Sequence, residues 1–368
     1  MNRLVLIGNG FDLAHGLNTR YEDFIYWYWK NRIMGLIREL GKESYDHLCK
    51  LTILNEISWS AFISLNSYSL RECGGKELYE YLVSHTEAFK IEHRYLFEKI
   101  HNNIETKRWV DIENDYYSLL FLKTVSLKGY SEAEVKFLNA QLDLLRGLLV
   151  DYLKEEEEKV TIANNSIKDK IHRPIAECEI SVTNLNNTDK CKYKTIDRIM
   201  LLSFNYTKTP QLYICDNSEI EVNYIHGCLN NPKSIIFGYG DELDDEYKRI
   251  QNLNENECLR HIKSIKYLEA DNYRRMLEFV ESSPFQIVIM GHSCGNSDRT
   301  LLNTLFEHKN CVSIKPYYYK NTETGKDNYL ELVQNISRNF KDMKLMRDRV
   351  VNKLFTEPLD NHQTAERI

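Results

Sequence analysis

Arg3-Leu4-Val5-Leu6-Ile7 is a short apolar run that reads as a buried strand. It stops at Gly8-Asn9-Gly10-Phe11-Asp12, and a third glycine, Gly16, closes the turn before a helix-like stretch. A strand, a glycine-dense turn and a helix together bring bare backbone N–H groups against a phosphate. A Cβ would block that approach and forbid the positive φ values of the turn. The chain therefore reads as opening with a nucleotide pocket.

Thr19-Arg20-Tyr21-Glu22 has the pattern of a capping box, opening a helix expected to run to about residue 40. Within it, Tyr26-Trp27-Tyr28-Trp29 points all round the axis, which suits burial on several sides better than a base-stacking platform. Residues 40–160 read as largely helical, with no convincing period-2 strand. A second box, Ser131-Glu132-Ala133-Glu134, launches a stripe of Val135, Leu138, Leu142, Leu145, Leu149 and Tyr152, the apolar face of a long amphipathic helix. Glu155 to Glu158, at its end, reads as a solvated face. The polar segment from Thr161 to Lys194 ends the helical region, with Ser181–Lys190 expected as an exposed loop.

Short runs rich in β-branched and aromatic residues then appear at Ile196–Phe204, Ile220–Ile225, Ile235–Phe237, Gln286–Met290 and Cys311–Tyr318. With the first strand they make about six strands, on connections too long for hairpins and hence largely parallel. The expected class is α/β, a Rossmann-like doubly wound and mostly parallel sheet with a large helical insertion. Residues 1–18 and 195–320 would form the core and 19–194 the insertion, with a polar loop near 161–194. Residues 321–368 would supply a C-terminal helix, over about 328–355, and a tail.

A chain of 368 residues has room for a sizeable core, and its formal net charge of −6 argues against broad binding to nucleic acid. The nine cysteines are scattered without any C-x-x-C pair, which suits reduced thiols in a cytoplasm. The strand at the very start leaves no signal peptide, and no stretch approaches the roughly 20 apolar residues of a spanning helix. The expectation is a soluble cytoplasmic protein with no membrane partner.

Four polar motifs follow four of these strands. They are Gly8–Asp12, Asn205-Tyr206-Thr207, His226-Gly227, and Gly291-His292-Ser293 with Asn296-Ser297-Asp298. The carboxyl ends of parallel strands share one edge, and ligands bind in the crevice there. Each motif also has a plainer reading. A G-x-G after a strand is often only a tight turn, Asp12 can be a helix N-cap, Asn205 a turn residue, and Ser293 or Asp298 a cap. His226 and His292 lack a partner at zinc-ligand spacing, so no metal is expected.

The series GNGFDLAHGL, WVDIE (Trp109–Glu113), SFNYT, IHG, FGYG and GHSCGNSD resembles the bacterial abortive-infection AbiH family of phage-defence proteins, over nearly the whole chain. AbiH proteins in turn resemble the sirtuin-like (SIR2-like) NAD-binding fold. That resemblance implies cofactor contacts from Gly8, Asn9, Gly10, Phe11, Asp12, Gly16 and Tyr206, and an active-site Asn205. It further implies a catalytic His226, and Gly291, Ser293 and Asp298 on the adenosine side of NAD. Glu113 is a candidate lid residue, weighed against a plain surface carboxylate, and the insertion a lid or homo-oligomer interface. The sequence departs from the sirtuin pattern in lacking the zinc ribbon, in carrying Asp12 for a serine, and in carrying Thr207 for an aspartate.

The function expected is an abortive-infection effector that hydrolyses NAD at the nicotinamide–ribose bond, set off by an unidentified phage component. Asn205 would orient the water and His226 act as general base. Two alternatives stand beside it: a non-catalytic sensor of NAD or ADP-ribose, and a metal-dependent nuclease built on the acidic run Asp241, Glu242, Asp244, Asp245 and Glu246. A toxin acting by an unrelated route is a third.

Overall fold

The computed structural model describes residues 1–39, 41–55, 74–102, 104, 108–125, 130–185, 195–214, 219–240, 242 and 245–360. Its strands are β1 (Asn2–Ile7), β2 (Glu43–Tyr45), β3 (Cys49–Ile53), β4 (Phe89–His93), β5 (Ile199–Ser203), β6 (Ile220–Tyr224), β7 (Phe285–Met290) and β8 (Cys311–Tyr317). The chain divides into two compact units. One holds Met1–Thr19, Leu153–Asn254 and His261–Ile368, and the other Arg20–Tyr152 with Glu255–Arg260.

The first unit is built on a five-stranded sheet in the order β6-β5-β1-β7-β8, with every pairing parallel. Every residue of β1 and β7 is buried, as a parallel sheet covered on both faces requires. Alternate residues serve opposite faces. Leu4, Leu6, Ile287 and Ile289 pack with Met276, Phe279, Leu302 and Ile336 from the helices of one layer. Val5, Ile7, Val288 and Met290 pack with Phe11, Ile167, Ile171 and Tyr213 on the other. The chain builds outward from β1 through β5 to β6, then returns to the far side of β1 for β7 and β8. That reversal puts a topological switch point between β1 and β7. The mixed α/β class and the mostly parallel sheet are as the sequence implies.

The strand pattern differs at Ile235–Phe237, which is no strand. It follows a 3₁₀ turn at Pro232–Ser234 and is too short for a ladder, with the Ile236 N–H donating to the His226 carbonyl. The predicted C-terminal helix is two, Tyr329–Arg338 and Met343–Arg349. The second starts afresh because the Asp342 carboxylate accepts the Lys344 and Leu345 N–H groups. Part of the expected polar loop is the helix Asn165–His172, whose Ile167 and Ile171 enter the core. Ser181 is buried and Val182–Leu185 is helical, while 186–194 lies outside the described residues. Nor is Glu155–Glu158 wholly solvated. Glu156 is buried and accepts the Asn18 N–H, and Glu157 accepts the Lys208 N–H.

The second unit carries the helices Tyr21–Glu39, Gly75–Ser84, Tyr95–His101 and Trp109–Val125, and most of Glu132–Glu157. The apolar stripe from Val135 to Tyr152 is buried as its spacing predicts, and Tyr28 and Trp29 are buried against Phe97. The largely helical expectation is corrected by a three-stranded antiparallel sheet, β2-β3-β4. In β3 the buried Cys49, Leu51 and Ile53 alternate with Lys50 and Thr52, but over five residues only, and its partner β4 begins thirty-six residues after Ile53. The period was too brief to stand out beside the helical repeats.

Candidate active site

The switch point is closed by backbone. The Gly8 N–H donates to the Met290 carbonyl (3.2 Å) and the Gly10 N–H to that of Gly291 (2.9 Å). A Cβ on Gly8 would lie 2.5 Å from the His292 Cα, and one on Gly10 2.8 Å from the Gly291 Cα. The two glycines are therefore required by the close approach of the β1 and β7 extensions. Their N–H groups, expected to cradle phosphates, are spent on that contact, which corrects the role read for them. Gly16 has a different task. At φ +79° it ends the Asn9–Ala14 helix, with its N–H on Leu13 and that of Leu17 on Asp12, a Schellman closure with nothing near a would-be Cβ.

Asp12 points inward. Its carboxylate accepts from Thr207 Oγ1 (2.8 and 3.0 Å) and Thr209 Oγ1 (2.5 Å), and burial raises its pKa to about 6 despite the hydroxyls and Asn205, which favour the charge. Asn205 Nδ2 donates to the Gly8 carbonyl at 2.9 Å, tying the end of β5 to the end of β1. Tyr206 turns its hydroxyl onto the Ile236 carbonyl (3.0 Å). Phe11 sits in the core beside Tyr213, while Asn9 is half-buried at the helix start.

The remaining polar side chains meet at Asp298. Its Oδ1 lies 2.9 Å from Lys263 Nζ and 3.3 Å from His226 Nε2, and its Oδ2 3.7 Å from His292 Nε2. All four residues are buried. The ring of Phe204 packs on both imidazoles, its centroid 4.1 Å from that of His292 and 5.2 Å from that of His226. His292 Nδ1 accepts the Cys294 N–H (3.0 Å), so the ring N–H is at Nε2, facing Asp298. Asp298, an acceptor only, likewise favours the N–H of His226 at Nε2, which is also 3.1 Å from the Tyr267 hydroxyl. That tautomer leaves the His226 lone pair on Nδ1.

Burial opposes charge on Asp298, yet Lys263, followed by His226 and His292, holds its carboxyl well below the usual range. Burial, then the Lys263 charge, pushes His226 below its ordinary value, so the imidazole is neutral at pH 7. A neutral imidazole oriented by an ionised carboxylate is equipped to take a proton.

The structure thus brings together Gly8, Gly10 and Asn205 with Gly291, and His226 with Asp298. Ser293 is half-buried, and its carbonyl accepts from Asn335 Nδ2 (2.9 Å). Asp298, expected to hold the adenosine ribose, is engaged by Lys263 and two histidines. Glu113 belongs to the other unit and is buried there, which corrects the reading of it as a surface carboxylate. Lys263 and Tyr267 were not singled out in the sequence. The available signal was FGYG: Tyr239 exchanges backbone bonds with His261 and Lys263, and Gly240 leaves room for the Lys263 stem.

The crevice beside Tyr206, Lys208, Tyr224 and Glu157 encloses no room for a ligand, against the several hundred Å³ of a small-molecule site. A larger concavity of about 350 Å³, among His93, Tyr95, Glu98 and Phe137, lies in the other unit and holds none of the predicted site residues. Among the described residues no three of His, Cys, Asp and Glu are grouped to hold a metal, and no helix is long and apolar enough to cross a membrane. Asp241 and Asp244 of the acidic run lie outside the described residues, and Asp245 is exposed at a helix start.

One family model, described as Bacteriophage abortive infection AbiH, matches residues 4–319. Neither the curated proteins nor the solved structures offer a match.

Proposed function

The chain belongs to the AbiH family of bacteriophage abortive infection, and from that premise we propose that it acts by hydrolysing NAD at the nicotinamide–ribose bond. The observation that carries the reading is His226. It is a buried, neutral imidazole held by Asp298 through Nε2, at the same sheet edge as Asn205 and the glycine turn. Leaving nicotinamide departs with the electron pair of the C–N bond, and the oxocarbenium-like ribose takes a water in its place. His226 Nδ1 accepts that water's proton, and Asn205 orients the water and the ribose hydroxyls. Two departures from the sirtuin pattern offset each other here, because Thr207 donates to Asp12. The Asp12 carboxylate is thereby turned away from any pyrophosphate on the outer side of the turn.

Purified protein incubated with NAD should release nicotinamide, and His226→Ala and Asn205→Ala should each lower the rate by about 100-fold or more. Equal rates in both variants and the wild type would refute the mechanism. One observation favours a second reading, a nucleotide sensor without turnover. The bonded Gly8 and Gly10 N–H groups and the shallow crevice beside Tyr206 offer a nucleotide a surface to rest on and no enclosed cavity to shield a reacting ribose. A rise in melting temperature with NAD or ADP-ribose, with no product formed, would decide for it.

A further inference from the structure

Lys263 is the least expected member of the buried cluster. It is 1% exposed, and it comes from a short helix, Lys263–Lys266, that no motif at a strand end announces. A buried ammonium is costly unless paired, and here the Asp298 carboxylate lies against it at 2.9 Å. The backbone holds it firmly: the Lys263 N–H donates to the Tyr239 carbonyl (2.8 Å), and the Tyr239 N–H to that of His261 (3.1 Å). Gly240 packs against Lys263 Cβ and the Ser297 carbonyl, so the FGYG segment grips the lysine on one side and the turn leading to Asp298 on the other.

The Lys263 ammonium lies against the same Asp298 oxygen that His226 approaches, so it offsets the carboxylate's pull on the imidazole. Without the ammonium, Asp298 would be a lone buried carboxylate, and the nearest group able to supply a positive charge at neutral pH is an imidazole it already touches. We propose, resting on the reading of His226 as the proton acceptor, that Lys263 is a positioning residue. By neutralising Asp298 it keeps His226 as the free base with its N–H at Nε2. Among the described residues the titratable groups facing His226 and Asp298 include Lys263, Tyr267, His292 and Cys294. Burial raises the Cys294 thiol, which stays protonated throughout the physiological range. The lysine is the one fixed cation among these groups.

The test compares Lys263→Met and Lys263→Arg with the wild type. Nitrogen NMR of the full chain labelled at histidine is used, with the His226 signal identified from its loss in His226→Gln. The wild type should show a neutral Nε2–H ring at pH 7, and Lys263→Met a His226 imidazolium. An adjacent carboxylate without its lysine raises the imidazole pKa by about 1–3 units, so NAD cleavage by Lys263→Met at pH 7 should fall several-fold or more. The rate should recover toward pH 8.5, and Lys263→Arg should behave as the wild type. In case the single variant fails to fold, the charge-neutral pair Lys263→Met with Asp298→Asn serves. It should fold with His226 neutral at pH 7, because the carboxylate that would charge the ring leaves with the lysine. An unchanged His226 spectrum and titration in Lys263→Met, or a His226 imidazolium in the double variant, would overturn the proposal. A wild type that cleaves no NAD would sink the hydrolase reading alone, since the imidazole spectrum still decides what Lys263 does.

Discussion

Asp12→Asn isolates the cost of the carboxylate buried beneath the glycine turn. Burial raises the folded-state pKa of Asp12 from the ordinary 3.8 to about 6. Between those values the folded chain binds more protons than the unfolded one, so stability falls as pH rises, and by neutral pH the site costs about 3 kcal/mol relative to its protonated form. Asparagine keeps an oxygen for Thr209 and carries no charge, while the 3.1 Å contact of Thr207 with Thr209 lets the hydroxyl protons rearrange. The linkage relation gives the wild type a gain of about 1.4 kcal/mol over Asp12→Asn on going from pH 7.5 to pH 5. The choice of probe matters. All four tryptophans, Trp27, Trp29, Trp59 and Trp109, fall within the 20–152 segment, so their fluorescence follows the other unit. Hydrogen exchange of β1 and β5 peptides reads the correct one. A stability difference between the two proteins that does not change with pH would refute the assignment of a buried, strained charge.

Gly8→Ala should cost about 1–3 kcal/mol and disturb His226 and Asn205 chemistry together, since its Cβ meets the His292 Cα; thermal unfolding and nicotinamide release check it. Gly16→Ala should cost about 1 kcal/mol through its positive φ alone and leave the site's activity intact, which separates a helix-end glycine from a packing one in the same turn. Asn339→Ala removes a buried amide that donates to the Cys294 carbonyl (2.9 Å) and that of Asn335 (2.8 Å). It should cost about 1–3 kcal/mol and raise hydrogen exchange in the 291–295 loop, as measured by mass spectrometry.

What the sequence disclosed and what it withheld follow from the range of the physics involved. Strands β1, β5 and β7 were legible because each is dominated by a run of apolar residues, the pattern forced on a strand buried on both faces. The long helix from Glu132 was legible because its repeat is sustained over more than twenty residues. β3 and β4 were not, because five residues of alternation carry little signal and their pairing is a non-local fact. His226 and Asn205 could be picked out from their positions just after strands, but their partners could not. Asp298 reads equally well as a helix cap, and Lys263 lies in a stretch of chain that looks like ordinary solvated helix.

The turn at Gly8–Asp12 shows how one local pattern can serve two ends. Its glycines are needed for backbone to approach closely, and sequence alone does not reveal whether the approaching group is a phosphate or another strand's extension. In this fold the extension of β7 occupies that place, with Gly291 as the third member of the contact. Any ligand of the edge must therefore be recognised chiefly by side chains, above all Asn9, Asn205 and His226, or must first part the bonds from Gly8 to Met290 and from Gly10 to Gly291. The two routes separate cleanly in exchange measurements. Protection of the Gly8 and Gly10 amides by a nucleotide leaves the strand extensions zipped, whereas their faster exchange in its presence would mean that binding opens the switch point.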